Sequence, residues 1–343
     1  MKRIFFAYHD DFNKYDLGKD HPLIGDKPRR TLQFLKERNF ESLLDIKEPE
    51  PAREKDILKV HTNRYLEEVR FLSEKGGYLS LDTPVPKGLY NVALLAVGGT
   101  LLAGEALFRG YNISVNPLGG FHHACRDRSS GFCIFNDIAV VIEYLKEKYD
   151  IGRIAVIDLD VHHANGTQEI YYEDPSVLLI SFHQDGRTLY PGTGFIDEIG
   201  KGKGEGYTIN HPFLPLSGNE SYIYAFKEVI PEIVRKFKPH LIIYQAGVDT
   251  HHADPLASIL LTYPIYHFFA QEIKELSKQT CKRLLVLLGG GYNSISSIKS
   301  YYNIMCGLAG REDIINEEEI RDVNFSKTRK TTKELMEILS SYW

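Results

Sequence analysis

The segment DLDVHHANGTQ, residues 158–168, combines side chains that bind metal ions with side chains that move protons. Asp160 and His162 lie two residues apart after an apolar run, and side chains with that spacing on a strand point to the same side. Asp249, after a second apolar run, adds another carboxylate. Catalytic zinc commonly has three protein ligands and a water molecule. We therefore predict a metal site at Asp160, His162 and Asp249. The alternative is that Asp160 and His162 only cap a helix that begins near Asn165.

A pair of histidines, His122 and His123 in GGFHHA, could serve as base and acid if the metal already has three ligands. Asp158 is a candidate partner for one of these imidazoles and Asn165 for the other. Because an amide stabilises an imidazolium less than a carboxylate does, the two histidines should titrate differently. Tyr292 in LGGGYN could donate a hydrogen bond to a carbonyl oxygen as negative charge develops there.

The other members of the histidine doublets are expected to have structural roles. His163 points away from the side chain of His162 on an extended strand, so we do not predict it as a ligand. We also predict structural roles for His251 and His252 in VDTHHADP. Asp158, which lies deeper on the face of Asp160, could alternatively help to bind a structural cation.

These side chains follow short apolar runs that predict buried strands: RIFFAYH, NISVNP, RIAVIDLD, VLLISFH, LIIYQAG and LLVLLGGG. Amphipathic helices are predicted between them at residues 89–108, 134–149, 221–237 and 263–277. This alternation indicates an α/β fold with a mainly parallel sheet covered on both faces. Ligands bind outside the carboxyl ends of such strands, so the candidate residues are expected to share one active site.

Composition indicates a globular enzyme without a nucleic-acid or membrane partner. The 343 residues are 43% hydrophobic and 25% charged, with a net charge of −5 and with Lys and Arg scattered along the chain. The four cysteines form no CxxC pair, which favours a reducing cytoplasm. No signal peptide is indicated, and we expect no apolar run near the roughly 18 residues that span a bilayer. Without repeats or linkers, we predict one domain, with residues 1–315 as its catalytic part and residues 316–343 as a peripheral helical tail.

Five segments, in this order, resemble the histone deacetylase superfamily: GGFHHACRDRSSGFCIFND, IDLDVHHANGTQ, YPGTG, QAGVDTHHADPLA and LGGGYN. That superfamily includes acetylpolyamine amidohydrolases and acetoin-utilisation-type proteins. The resemblance implies a single-domain arginase/deacetylase fold with a central sheet of about eight strands. It also implies a zinc-dependent amidohydrolase that removes acetyl or other acyl groups from lysine side chains or related amines.

The resemblance implies further site residues. Phe132, with Gly131, and Tyr190 match the walls of an acyl-lysine tunnel. Asp82 matches a rim carboxylate that holds the substrate backbone, and Arg30 matches an arginine of an acetate-release channel. Structural K⁺ or Na⁺ would be held at two sites, the first at Asp158, Asp160, His162, Ser181 and Phe182, and the second at Tyr171, Asp174, Val177 and Tyr207.

Departures from the family pattern bear on the substrate and on alternative functions. Asn165 is typical of class II members, and Tyr190 replaces the usual Phe. Leu256 stands where a polyamine-selective member has Glu, which disfavours a polyamine substrate unless other rim residues supply a carboxylate. An acetylpolyamine or another small acetylated amine remains the alternative substrate. An arginase-like binuclear hydrolase is disfavoured because Ala164 and His251 replace needed carboxylates. A catalytically silent acyl-lysine-binding protein and iron(II) in place of zinc are the remaining alternatives.

Overall fold

The computed structural model describes residues 3–23 and 25–343. Its strands are β1 (Ile4–Ala7), β2 (Leu44–Lys47), β3 (Gly77–Ser80), β4 (Thr83–Val85), β5 (Ile113–Asn116), β6 (Ile154–Asp158), β7 (Val177–Gln184), β8 (Thr208–Phe213), β9 (Leu241–Gln245) and β10 (Leu284–Leu287). Its α-helices are α1 (Lys27–Glu37), α2 (Glu54–Ile57), α3 (Asn63–Lys75), α4 (Leu89–Ala106), α5 (Asp137–Tyr149), α6 (Asn165–Tyr171), α7 (Asn219–Phe237), α8 (Tyr263–Gln279), α9 (Ser296–Ala309) and α10 (Phe325–Leu339).

Eight of these strands form one mainly parallel sheet, in the order β2-β1-β5-β10-β9-β6-β7-β8. Strands β6, β7, β9 and β10 are buried along their whole length, as expected for apolar strands covered on both faces. Strands β3 and β4 form a separate antiparallel pair. The predicted α/β fold with a sheet of about eight strands is therefore confirmed.

Two strands of the sheet, β2 and β8, were not predicted from the sequence. They lie at its two edges. The sequence of β2 is LDIK, and three of its four residues are not fully buried. The sequence of β8, TINHPF, contains Pro212, which cannot donate to a strand neighbour and is therefore confined to edge strands. Edge strands thus lacked the apolar run on which the prediction depended.

The chain forms two compact units, neither of them continuous in sequence. Unit 1 contains the chain up to Ile151, Asn165–Ile170 and Leu285–Gly289. Unit 2 contains Gly152–Ala164, Tyr171–Leu284 and Gly290–Trp343. Residues 290–343 all belong to unit 2, so the structure marks no boundary at residue 315.

The core of unit 1 includes helix α4, which packs on β1, β5 and α5. Its 18 residues are apolar enough to cross a membrane by length and composition, but 83% of that stretch is buried inside the protein. The expectation that no apolar run approaches this length was therefore wrong. An apolar helix that is buried on all sides is typical of a protein core.

Helix α10 belongs to the core of unit 2, where it packs on α7 and β8. Leu335 and Leu339 are fully buried. The hydroxyl of Thr328 donates to Ser221 Oγ at 2.9 Å, and Thr332 Oγ1 lies 2.9 Å from His211 Nε2. The charged tail predicted at the edge of the fold thus has one face that is an integral part of unit 2.

Candidate active site

Three predicted metal ligands converge in unit 2. Asp160 and His162 follow β6, and Asp249 follows β9. His162 Nδ1 lies 3.1 Å from Asp160 Oδ1 and 3.2 Å from Asp249 Oδ2. The three residues are 2%, 7% and 0% exposed, respectively. Two carboxylates and one imidazole therefore surround a single point away from solvent, and they form one of two groups of described residues that could hold a metal ion.

Hydrogen bonds to the remaining atoms orient these ligands. Val161 N donates to Asp249 Oδ1 at 2.9 Å, which ties the two strand ends together. Gln245 Nε2 donates to Asp160 Oδ2 at 3.2 Å, and Asp160 N donates to Asp158 Oδ1 at 3.1 Å. Such partners fix the direction of ligand lone pairs. Gln245 was not predicted, because an amide inside an apolar strand gives no local signal of function.

The electrostatics of this cluster suit a cation. Burial by itself would lower the pKa of His162, but hydrogen bonds to Asp160 and Asp249 outweigh it and raise that pKa to about 10. Burial and the neighbouring Asp160 raise the pKa of Asp249 to about 7, against the opposing effect of His162. Buried carboxylates need a positive partner. The donor set of two oxygens and one nitrogen therefore fits a divalent metal ion.

Two glycines leave space beside the ligands. A Cβ atom at Gly290 would lie 2.1 Å from Asp160 Oδ2 and 3.0 Å from Asp249 Oδ2. A Cβ at Gly247 would lie 2.4 Å from Asp160 Oδ2. Gly290 also has φ +62°, a conformation that favours glycine. Any other residue at Gly290 would intrude on the ligands.

Tyr292 and Tyr190 both lie beside the imidazole of His162. Each tyrosine ring centroid is 6.3 Å from that of the imidazole, in an edge-on arrangement. Tyr190 is 41% exposed, whereas the metal ligands are buried. Unit 2 therefore brings together the predicted oxyanion donor, one predicted tunnel wall and the predicted metal ligands.

Asp254, which was not predicted, holds the backbone around Tyr292. Its Oδ2 accepts from Tyr292 N at 2.7 Å and its Oδ1 accepts from Leu256 N at 3.0 Å. Burial raises the pKa of this carboxyl. The contact with Tyr292 spans 38 residues of sequence, and the only local signal was the Asp-Pro dipeptide of a turn. Asp254 thus links the backbone of Leu256 to that of Tyr292 in unit 2, and the substrate-binding role of Leu256 stays a prediction.

The two histidines of GGFHHA are in contact in unit 1. Their Nε2 atoms are 3.1 Å apart, and they are 3% and 4% exposed. Nδ1 of His123 lies 2.6 Å from Oδ1 of Asn165, the first residue of α6. Because an amide oxygen only accepts, Nδ1 carries the proton in the neutral ring, and Nε2, which faces His122 Nε2, is the nitrogen that can accept one. The predicted partnership of Asn165 with one histidine of the pair therefore has a geometric basis.

A buried carboxylate that was not predicted, Asp137, holds the turn before His122. Its Oδ1 accepts from Phe121 N at 2.7 Å and its Oδ2 accepts from Gly120 N at 3.0 Å. Asn136, the neighbouring residue, caps α5 by accepting from Ala139 N at 2.9 Å. The dipeptide Asn-Asp before an apolar helix is a capping signal that the sequence shows. The contact of Asp137 with the turn before His122 became visible only in the folded chain.

Gly131 and Phe132 form a turn against His123 in unit 1. A Cβ at Gly131 would lie 2.2 Å from His123 Cδ2, so only glycine fits. Asp82 Oδ2 accepts from Gly131 N at 3.2 Å. The carboxylate of Asp82 thus contacts the protein's own backbone, and its implied role at the tunnel rim stays a prediction. Arg30, on the first turn of α1, has its guanidinium 4.0 Å from Asp26, and its predicted channel role stays a prediction.

The residues predicted to bind monovalent cations all lie in unit 2. Asp158 and Ser181 are register partners on β6 and β7, and Ser181 Oγ accepts from Ala164 N at 3.4 Å. The carbonyl of Tyr171 accepts from Asp174 N at 3.0 Å, and that of Tyr207 accepts from Leu179 N at 2.9 Å. The first set lies at and after the end of β6, with Asp158, Asp160 and His162, and in the second half of β7, with Ser181 and Phe182. The second set, Tyr171, Asp174, Val177 and Tyr207, lies at the start of β7 and beside it.

The remaining histidines of the doublets have structural partners. Nδ1 of His163 lies 2.8 Å from Thr193 Oγ1 in the YPGTG loop. His251 and His252 place their Nε2 atoms 3.0 and 2.8 Å from the carboxylate of Glu317. This is the second group with metal-ligand spacing. However, His251 Nδ1 accepts from Ala253 N at 3.1 Å, so the neutral ring carries its proton on Nε2 and donates it to Glu317. The pattern fits two imidazoles hydrogen-bonded to one carboxylate, here called the Glu317 clamp, and not a metal site.

Comparisons with known proteins place the chain in a family. The sequence profile of the histone deacetylase domain matches residues 21–308. A "Probable deacetylase" of Archaeoglobus fulgidus is 36% identical over 98% of both chains. The "Acetoin utilization protein AcuC" of Bacillus subtilis is 36% identical over 85% of this chain and 78% of its own length. A "Histone deacetylase-like amidohydrolase" of Pseudomonas aeruginosa is 36% identical over 83% of this chain and 74% of its own length.

The crystal structure of the HDA15 HD domain superposes with a TM-score of 0.88 at 27% sequence identity. The superposition covers 100% of this chain and 96% of the HDA15 HD domain chain. Both the sequence and the fold therefore lead to the same assignment. The chain belongs to the histone deacetylase family and is a hydrolase that acts on amide bonds.

Proposed function

We propose that this protein is a zinc-dependent deacetylase that removes acetyl or other acyl groups from lysine side chains. The observation that carries the proposal is the buried cluster of Asp160, His162 and Asp249 with the ring of Tyr292 beside it. Family membership supports the amide-hydrolysing chemistry. The four cysteines, which form no CxxC pair, support a site of action in the reducing cytoplasm.

Asp160, His162 and Asp249 would hold the metal, as Zn²⁺ or as Fe²⁺. A bound metal ion would polarise the amide carbonyl and lower the pKa of a water molecule. The buried negative charge of the two carboxylates supports this role, because it needs a compensating cation. K⁺ or Na⁺ at the two sets of strand residues in unit 2 would be structural.

The acid–base work is assigned to the chain's own histidines. One imidazole of the His122–His123 pair takes a proton from the attacking water. The contact of His123 Nδ1 with Asn165 makes Nε2 the nitrogen through which His123 would exchange protons. His123 then protonates the leaving amine as the amide C–N bond breaks. Tyr292 donates a hydrogen bond to the carbonyl oxygen while negative charge builds on it. Asp158 and Asn165 would tune the pair.

The acyl-lysine side chain would contact the ring of Tyr190 in unit 2, and the family resemblance implies the same role for Phe132. The partial exposure of Tyr190 next to a buried imidazole supports an entrance on that side. The substrate would be an acetylated protein or peptide. Leu256 offers no carboxylate for a second ammonium group, which favours lysine over a polyamine. A small acetylated amine is the competing substrate.

The experiment is an activity screen of protein stripped of metal and reloaded with Zn²⁺ or Fe²⁺. The substrates are an acetyl-lysine peptide, an acetylpolyamine and longer acyl-lysine peptides. We expect metal-dependent release of acetate, with the highest kcat/KM for the lysine peptide. A higher kcat/KM for the acetylpolyamine would show that the preferred substrate is a polyamine and not lysine. Saturable peptide binding without acetate release by either metal form would contradict the proposal.

A further inference from the structure

The turn that carries one tunnel wall has an unfavourable backbone conformation. Gly131 has φ +51° and Phe132 has φ +68°. Both angles are in the left-handed region, which an aromatic residue with a Cβ rarely adopts. Such conformations persist only where the surrounding structure imposes them, and they cluster at functional sites. The question is which residues hold Phe132 there.

Two consecutive residues of the β3–β4 hairpin hold the two consecutive amides of this turn. Asp82 Oδ2 accepts from Gly131 N at 3.2 Å, and Thr83 Oγ1 accepts from Phe132 N at 3.3 Å. The Thr83 hydroxyl in turn donates to Asp82 Oδ1 at 3.0 Å. A hydroxyl that accepts from one group and donates to another links Phe132 N, Thr83 and Asp82 into one chain of hydrogen bonds.

The carbonyl and the ring of Phe132 are held as well. The buried hydroxyl of Tyr15 donates to Phe132 O at 2.9 Å. The His21 ring packs edge-on against the Phe132 ring at 4.4 Å between centroids. His21 Nδ1 accepts from Leu23 N at 3.1 Å, so Nε2 carries the proton and donates to Asp82 O at 3.2 Å. The imidazole is thereby fixed against the wall.

The carboxylate of Asp82 is directed at the protein itself. Oδ1 accepts from the hydroxyls of Ser80 and Thr83, and Oδ2 accepts from Gly131 N. Thr83 is fully buried, so it cannot touch a substrate. Any influence of Thr83 on substrate must therefore pass through the turn.

We propose that Asp82 and Thr83 are positioning residues that hold Phe132 in its left-handed conformation as the wall of the acyl tunnel. This inference rests on the proposed function, in which Phe132 contacts the acyl-lysine chain. It adds to the rim role that the family resemblance implies for Asp82, because it makes the carboxylate act on Phe132 through its hydrogen bond to Gly131 N. It also assigns a function to Thr83, which no sequence motif indicated.

The test compares Thr83→Val, which removes the hydroxyl at similar shape, with Thr83→Ser, which keeps it. On the zinc-loaded full chain we expect Thr83→Val to raise KM for an acetyl-lysine peptide about fivefold or more, with kcat within about threefold of the original. Thr83→Ser should restore KM to within about twofold. Tyr15→Phe, which removes the hydrogen bond to the Phe132 carbonyl, should raise KM in the same direction.

Two further measurements separate this inference from the proposed function. Hydrogen–deuterium exchange of the metal-free chain reports the Gly131 and Phe132 amides directly, and Thr83→Val should speed their exchange while Thr83→Ser does not. Acetohydroxamic acid has no linker to contact the wall, so its affinity should be unchanged, whereas a hydroxamate with a six-carbon linker should bind Thr83→Val more weakly. Unchanged exchange in Thr83→Val would overturn the inference even in an active enzyme. Faster exchange in a chain that hydrolyses no acyl-lysine would instead leave the inference standing for the turn and remove the proposed function.

Discussion

At the scale of single residues, chemical identity is less informative than partners. Six histidines occur as three doublets, yet they divide into a metal-ligand candidate, a contacting pair and three structural groups. His162 contacts two carboxylates, whereas its neighbour His163 contacts a threonine hydroxyl. Ala253 N donates to His251 Nδ1, so the proton of the neutral ring is on Nε2. That proton distinguishes the Glu317 clamp from a metal site with the same spacing. Hydrogen-bond direction therefore assigns the roles.

Tyr292→Phe removes only a hydroxyl. We expect kcat to fall by roughly two to three orders of magnitude, the usual effect of losing one oxyanion donor. Zinc content, measured by mass spectrometry of the purified protein, should stay the same because Asp160, His162 and Asp249 are untouched. A variant with near-original kcat would remove Tyr292 from the reaction.

Asn165→Asp would place a carboxylate 2.6 Å from His123 Nδ1, where an amide oxygen lies now. A carboxylate stabilises the imidazolium, so the pKa of His123 should rise. Protonation removes the base form of His123, and a higher pKa means that this happens at higher pH. The acidic limb of the kcat/KM profile should therefore move to higher pH. Asn165→Ala, which adds no charge, is the control and should not shift the limb upward.

Metal affinity should depend on pH with a defined sign. A metal ion must displace the proton of His162, whose pKa is raised to about 10, and below about pH 7 also that of Asp249. The apparent zinc affinity of the metal-free protein should therefore fall as pH falls, by about tenfold per unit between pH 9 and 7 and more steeply below. Competition titration with a zinc chelator at several pH values measures it, and a flat profile would contradict the assigned ligands.

At the scale of elements, strand ends and the turns that follow them position the chemistry. Central strands such as β6 and β9 could be predicted because they are continuous apolar runs, and each is followed by its ligand within a few residues. The edge strands β2 and β8 could not, since half-exposed or proline-containing strands lack that signal. The turns depend on glycines whose need is visible only in three dimensions, as at Gly290 and Gly131.

Gly290→Ala should abolish zinc binding while the chain still folds. The added Cβ would lie 2.1 Å from Asp160 Oδ2, so the ligand must move. The control is Gly202→Ala, because Gly202 has a similar φ of +58° but no atom within 4 Å of an added Cβ. Both variants carry the strain of a left-handed alanine, about 1–2 kcal/mol, but only Gly290→Ala should lose zinc by elemental analysis. Equal zinc contents would show that Gly290 is not needed to leave room for the carboxylate of Asp160.

At the scale of the whole molecule, segments distant in sequence build each unit. Unit 2 joins three stretches of chain, and its last helix, α10, packs on α7 and β8. The prediction of a charged helical tail described its composition well, but not the buried face that includes Leu335 and Leu339. The tail therefore contributes to the stability of the unit that carries the candidate metal ligands.

Leu335→Ala should destabilise unit 2 by about 2–5 kcal/mol, because it leaves a cavity at a fully buried position. Val323→Ala in the same tail is the control, since Val323 is 58% exposed and its truncation should change stability by less than about 0.5 kcal/mol. Urea denaturation followed by circular dichroism compares them. Equal midpoints would mean that α10 adds little to folding.

The sequence by itself determined the class of fold, the central strands and the metal-ligand candidates, because each rests on local spacing: apolar runs for strands and an Asp-x-His step at a strand end. Only the tertiary structure decided which polar groups meet over long distances in the chain. Asp82 contacts Gly131 across 49 residues, Asp254 contacts Tyr292 across 38, and Glu317 contacts His252 across 65. Local periodicity carries no information about such pairs, since they are created when separate turns and strand ends pack together. The supports of the site, unlike its central ligands, therefore became visible only in the folded chain.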